Sequence, residues 1–258
     1  MRYGLLADVH ANLHALEAVL DALEKAGVDR YLCAGDIVGY GPMPNECAER
    51  VAALDAITVA GNHDLIAIGA LSPTRCEQLA RSSLEWTRTE LNQAARTYLS
   101  SLPRTEAVED IAICHGTLDD PSAYVWTTDE AMTQADALGE VMPRARTLLF
   151  GHTHISCLYR QGWPRLETVR KAGTSDLEGD APTLINPGSV GQSREREAWA
   201  RCALLDTAAR SVTFFALGYD VAAVRQELER RGRPPGSCHM PPSTRQVVRN
   251  VVRRALRR

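Results

Sequence analysis

The chain has little lysine and few aromatic rings: Lys25 and Lys171 are its only lysines among 29 basic residues, and Phe, Trp and Tyr together make up 5% of 258 residues. The arginine bias reports genome composition as much as function. No stretch stays apolar over the roughly 18 residues that a membrane-spanning helix needs. The opening MRYGLLADVH has neither the apolar run nor the small-residue cleavage site of a signal peptide, so a cytoplasmic protein is expected. Seven cysteines are present, but none stands in a C-x-x-C pair or a zinc-type spacing, which excludes a disulfide framework and a thiolate metal site. Cys33, Cys114 and Cys157 sit within apolar runs and read as small buried hydrophobes. With 45% hydrophobic and 24% charged residues the composition is that of an ordinary folded domain, and disorder or a fibre is excluded. No internal repeat is present.

Charge is uneven. Residues 245–258 carry six arginines and no acid, so the preceding 244 residues hold 23 basic against 32 acidic residues, a net charge of −9. Arg245, Arg249, Arg253 and Arg257 are four apart, with Val248, Val252 and Ala255 on another face, the pattern of a basic amphipathic helix. Such a tail can meet nucleic acid or an anionic membrane, or lay its valines on the domain. The expected division is a folded domain over 1–230 and a linker with basic tail over 231–258.

The first hundred residues alternate strand and helix. Tyr3–Ala7 reads as a strand, and Asn12 then caps a segment with Leu13, Leu16, Val19, Leu20 and Leu23 at helical spacing. Strands at 31–34 and 56–59 follow, with helices from Pro44 and from Cys76 to Ser101, the latter broken near 88–92. Beyond Thr105 the chain is read as strand-rich with little helix: 106–109, 111–114, 148–150, 156–160, 184–185, 202–205 and 212–216. Long polar loops are expected at 117–127 and 171–182.

Residues able to bind a metal stand at strand ends in a fixed order. Asp8-Val-His10 follows the first strand, Gly35-Asp36 the second and Gly61-Asn62-His63-Asp64 the third. Cys114-His115-Gly116 and Gly151-His152-Thr153-His154 follow two later strands. Any one block is an ordinary turn or a surface histidine. Five of the seven histidines in five ordered blocks are not. Residues i and i+2 of an extended segment point the same way, so Asp8 with His10, and His152 with His154, can converge on the ligand edge of an open sheet. Oxygen and imidazole donors without thiolate suit manganese, iron, zinc, nickel or cobalt.

In these blocks the sequence resembles the calcineurin-like metallophosphoesterases, whose pattern is D-x-H, G-D, G-N-H-[DE], G-H or H-G, and G-H-x-H. The resemblance runs over about residues 1–230 and implies an α/β fold: a four-layer αββα sandwich with two central mixed β-sheets and a dinuclear metal site at the strand C-terminal ends. It implies Asp8, His10, Asp36 and His154 on one divalent ion and Asp36, Asn62, His115 and His152 on the other, with manganese first among the candidate metals. Asp36 would bridge. Two cations about 3.5 to 4 Å apart activate a bridging water and clamp phosphate oxygens. The resulting hydroxide would attack phosphorus, with His63 as general acid or charge stabiliser.

Gly35-Asp-Ile-Val-Gly-Tyr-Gly-Pro42 resembles the small bacterial phosphodiesterase and phosphatase branch. Protein serine/threonine phosphatases and symmetrical dinucleoside tetraphosphatases carry G-D-x-V-D-R-G there. Gly39 and Tyr40 replace the acid and arginine, which argues against a protein phosphatase of that type and leaves open what orients His63, Asp64 being the candidate beside it. Asn186-Pro-Gly-Ser-Val-Gly191 reads as a turn supporting the metal loops, Arg194 as a phosphate contact or a surface ion pair, and Tyr40 and Trp126 as rings able to stack on a base or to cover the core edge. The expected activity is hydrolysis of a small phosphodiester or nucleotide phosphate. The alternatives are a non-catalytic scaffold of the same fold and a nuclease; the intact ligand set weighs against the first and the acidic body against the second.

Overall fold

A computed structural model describes residues 1–177 and 179–242. The basic helix expected at 245–258 lies outside the described residues.

Two six-stranded mixed sheets stack face to face between helical layers. The first is built from β1 (Arg2–Leu6), β2 (Arg30–Cys33), β3 (Ile57–Thr58), β9 (Gly173–Asp176), β11 (Ala200–Asp206) and β12 (Ser211–Leu217), in the order β3-β2-β1-β11-β12-β9. Strands β1 to β3 run parallel because α1 (Leu13–Lys25) and α2 (Pro44–Ala52) cross back between them; β11, β12 and β9 continue the sheet antiparallel. The second comprises β4 (Thr105–Val108), β5 (Ile111–Cys114), β6 (Thr147–Leu149), β7 (Cys157–Arg160), β8 (Glu167–Thr168) and β10 (Thr183–Asn186), in the order β4-β5-β6-β10-β7-β8.

Period-two alternation decides which layer each strand residue faces. In β1, Tyr3 and Leu5 point toward the second sheet and pack with Ile113, Leu149, Leu158 and Ile185. Leu6 points the other way, onto Leu16, Val19, Leu20 and Leu23 of α1 and Leu84 and Leu99 of two further helices, α4 (Gln78–Glu90) and α5 (Gln93–Ser101). The outer face of the second sheet buries Cys114, Leu148 and Tyr159 against Ala131, Ala135 and Leu138 of α6 (Thr128–Val141). The result is the four-layer αββα sandwich.

Several elements differ from the sequence reading, among them the short strand β8, which was not read as a strand. A short helix, α3 (Asn62–Ala67), begins inside the third ligand block, and β9 forms inside the expected polar loop at 171–182, where it pairs with the edge strand β12. Helices α6 and α7 (Val221–Arg230) fall where helix was read as scarce. Both carry start signals. The Thr127 hydroxyl accepts from Glu130 N while the Glu130 carboxylate accepts from Thr127 N, and Asp220 caps α7 through Ala223 N. Finally, part of the segment read as linker is folded: Ser237 and Cys238 are buried, and the Ser237 hydroxyl donates to the Tyr40 carbonyl at 2.9 Å.

Phe214 of β12 is fully enclosed between the sheets. Phe214→Ala should lower unfolding free energy by about 3–5 kcal/mol, the scale of a large-to-small change in a tight core. A chemical denaturation curve measures it, and a loss under about 1 kcal/mol would show that the two sheets do not depend on this contact.

Candidate metal centre

Every candidate ligand leaves its sheet at the C-terminal end of a strand: Asp8 and His10 after β1, Asp36 after β2, Asn62 after β3, His115 after β5, His152 and His154 after β6. All seven are buried. Five of them adopt the left-handed backbone that side chains other than glycine rarely take: Asp8 (φ 55°), His10 (48°), Asp36 (56°), His152 (65°) and His154 (61°). Each such residue costs of order 1–3 kcal/mol and persists only where the surroundings hold it. The strain is concentrated on the ligands.

The surroundings are a mesh of backbone contacts. Asp64 accepts from Ile37 N and Val38 N through Oδ1 and from Gly61 N through Oδ2, so one buried carboxylate ties the β2 loop to the start of α3. A side chain at Gly35 would run into the backbone at Val59 and Gly61. From the other sheet, Val190 N and Gly191 N donate to the carbonyls of Ala7 and Asp8, the Ser189 hydroxyl also donates to Asp8, and Asn186 Nδ2 reaches the Gly151 carbonyl at 2.7 Å. The 186–191 segment therefore supports the metal loops, as its turn chemistry indicated.

Hydrogen-bond logic tests whether these side chains suit cations. A carbonyl oxygen can only accept, so a ring nitrogen facing one carries the proton and a neutral imidazole leaves its other nitrogen bare. His10 Nδ1 donates to Val38 at 3.1 Å and His154 Nδ1 to Gln192 at 2.7 Å. Their bare Nε2 atoms then face each other at 3.1 Å, with Asp8 Oδ1 3.3 Å from His154 and Asp36 Oδ2 3.7 Å from His10. Lone pair points at lone pair. On the other side of Asp36, His115 Nδ1 donates to Ala34 at 2.6 Å, which turns Nε2 toward Asp36 Oδ2 at 3.1 Å. His152 is reversed: its Nε2 donates to the Ser122 carbonyl at 3.2 Å, leaving Nδ1 free. Asp36 Oδ2, Asn62 Oδ1 and His115 Nε2 are buried without a hydrogen-bond partner. Converging carboxylate and imidazole groups suit positive charge, and Asp36 is shared between the group with His10 and His63 and the group with His115 and His152.

Titration follows. Burial pushes His10 and His154 well below the usual histidine range and His152 down to about 3, so these rings are neutral ligands at pH 7. Burial raises Asp8 to about 7. Burial also works to raise Asp36, but the imidazoles of His115, His63 and His10 overcome it and hold its carboxyl well below the carboxylate norm. His115 is the exception among the rings: burial would lower it, yet Asp36 and Asp8 push it up to about 9. Without a cation, a proton sits on His115.

His63 is buried beside this cluster, its ring centroid 4.8 Å from that of His10, and its backbone N–H donates to Asp36 Oδ1 at 2.8 Å. The expectation that Asp64 orients it is corrected: the Asp64 carboxylate is fully engaged by three backbone N–H groups. Gly39 and Tyr40 hold His63 instead. Gly39 (φ 90°) lies so close that an added methyl would collide with His63 Nδ1, and the Tyr40 ring sits 4.8 Å from the imidazole. Arg194 is half-buried on the loop after Gly191, with Nε 3.3 Å from Gln192 Oε1, and its charge bears on His154 and Asp8. Trp126 lies on the 117–127 loop, beside Tyr124, whose ring stacks on His152 at 4.0 Å. Ser122, Gln192 and Ser237 went unread in the sequence, since each acts through contacts across the chain and carries no motif.

Comparison with known proteins agrees with this geometry. The model of the calcineurin-like phosphoesterase superfamily domain matches residues 1–210, and the chain belongs to that superfamily. A crystal structure of a metallophosphoesterase from Sphaerobacter thermophilus is 34% identical, covers 92% of this chain and 97% of its own, and superposes with a TM-score of 0.80. A hypothetical protein of Pyrococcus horikoshii shares the fold at 20% identity and a TM-score of 0.74, over 92% of this chain and 96% of its own. An uncharacterized protein of Methanocaldococcus jannaschii is 28% identical over 233 residues, 90% of this chain and 93% of its own. The protein is a metal-dependent phosphoesterase in the general sense of that family.

Because His115 holds a proton at pH 7 and a ligand must shed it, manganese uptake should release protons, and affinity should rise as pH climbs from about 6 toward 9. Calorimetry at pH 7 in two buffers of different ionisation enthalpy reads the proton count directly. Uptake with no proton released would contradict the arrangement.

Proposed function

We propose that this chain hydrolyses a small phosphodiester or nucleotide phosphate at a pair of divalent cations held by Asp8, His10, Asp36 and His154 on one side and Asp36, Asn62, His115 and His152 on the other. The supporting observation is the convergence of buried imidazole and carboxylate groups in overlapping clusters, with Asp36 shared between the cluster that holds His10 and His63 and the cluster that holds His115 and His152. When bound, two such ions supply Lewis acidity to phosphate oxygens and a nucleophile from water at neutral pH.

The remaining work falls to the protein. Neutral His10, His154 and His152 present ligand nitrogens without competition from protons. His63 lies next to the cluster, and burial lowers its pKa. It therefore acts as a neutral hydrogen-bond donor to phosphate or leaving oxygen, which favours transition-state stabilisation over proton delivery. Arg194 supplies a guanidinium suited to bidentate phosphate contact. Tyr40 walls the site between His10 and His63. Manganese fits a donor set of oxygen and imidazole, and the reaction needs no further cofactor.

Bis-p-nitrophenyl phosphate and p-nitrophenyl phosphate, assayed side by side after metal stripping and again with manganese, test the reading. Turnover should vanish on stripping, return with manganese and favour the diester; undiminished turnover after stripping would overturn it. His63→Ala should lower kcat about 100-fold or more, as removal of one aligned donor does elsewhere. Gly39→Ala, which drives a methyl into His63 Nδ1 from a left-handed backbone position, should lower kcat at least about 10-fold while manganese affinity stays within about twofold. Equal kcat for Gly39→Ala and the parent would show that His63 needs no such support.

A further inference from the structure

Two exposed rings stand at the mouth of the metal cluster and are not needed by the core. Tyr124 is 41% and Trp126 49% exposed, while Val125 between them is 2% exposed and anchors the segment against the second sheet. Extended alternation puts Tyr124 and Trp126 on one side. They stack at 5.4 Å with 20° between planes, and the inner ring, Tyr124, stacks in turn on His152 at 4.0 Å and 25°. The stack leads from a candidate ligand of the cations out to solvent.

The segment is fastened at several points. The Ser122 carbonyl accepts from His152 Nε2, so the loop that carries the rings also sets the tautomer of that ligand. Ser122 N donates to Asp120 Oδ1, and Arg75 reaches Asp120 at 2.6 Å. Trp126 N and Thr127 N both donate to the Glu130 carboxylate, at 2.7 and 2.8 Å. A flat apolar surface is thus held at a fixed offset from the place where phosphate would bind.

From this juxtaposition we infer that Tyr124 and Trp126 form a stacking shelf for the base of a nucleoside phosphoester, an inference that rests on the phosphoesterase reading of the metal centre. Stacking is the recognition mode that such a surface offers, since every base presents a π-face. A protein partner would need a wide apolar area, whereas Asp120, Ser122, Thr127 and Glu130 ring the shelf with polar groups. The preference among bases is weak, because the shelf supplies a face and no base-edge donors.

The test compares thymidine 5′-(p-nitrophenyl phosphate) with methyl p-nitrophenyl phosphate, esters that share a leaving group and differ in the nucleoside. With manganese, kcat/KM for the thymidine ester should exceed that for the methyl ester by about 10-fold or more, the scale of one base–aromatic stack. Trp126→Ala should collapse that ratio toward unity, and Trp126→Phe, which keeps a flat ring, should restore most of it. Independently of turnover, adenosine 5′-monophosphate should quench tryptophan emission in the manganese-loaded protein and do so less in Trp126→Ala, while ribose 5-phosphate should not quench. A ratio near unity in the parent, or one unchanged by Trp126→Ala, overturns the shelf; so does a dimer-to-monomer change in Trp126→Ala with the ratio intact, which would give the rings to self-association. Quenching by the nucleotide with neither ester hydrolysed would keep the shelf as a binding site and sink the catalytic reading instead.

Discussion

The structure is organised around an electrostatic problem: several lone pairs of the same character are brought within 3 to 4 Å of one another in a buried space. Unpaired acceptors in a low-dielectric interior repel and lose their hydration. Such a cluster is stable only when positive charge enters it, and a proton on His115 is the substitute available without metal. The left-handed backbone at Asp8, His10, Asp36, His152 and His154 belongs to the same problem, because it aims five side chains from three loops at one point. The cost of that aim is met by the sandwich beneath it.

How the sandwich does so follows from its strand order. Parallel strands β1, β2 and β3 in one sheet and β5, β6 and β10 in the other end on the same edge, so their loops meet. The 186–191 segment then reaches across to hydrogen-bond the Ala7 and Asp8 carbonyls, locking the two sheets together at the site. Asp64 performs the corresponding task within the first sheet. Position of the ligands is thus a property of the whole fold, and the buried faces of Leu5, Leu149 and Phe214 serve catalysis at a distance by holding the two edges in register.

Much of this was legible in the sequence, and the reason is local. Strand ends, helix starts and ligand types follow one another within a few residues, so D-x-H, G-D, G-N-H-D, H-G and G-H-T-H could be read in order and placed on one sheet edge. What was illegible was long-range. Nothing near His63 announces that Gly39 will lie against its ring, and Asp64 looked like its partner only because it is adjacent; the carboxylate turns instead to three backbone amides. The tautomers of His10, His115 and His152 depend on the carbonyls of Val38, Ala34 and Ser122, residues with no motif of their own. Helix α6 was missed despite its capping box, since Gly139 and a run of small residues dilute its apolar face; β9 exists only because β12 offers it an edge.

The central claim is that Asp36 stands between two cations. Anomalous diffraction from crystals grown with manganese and recorded at its absorption edge addresses this directly. The account predicts two peaks per chain flanking the Asp36 carboxylate, one toward His10 and His154 and the other toward His115 and His152. A single peak, or peaks away from Asp36, would contradict it.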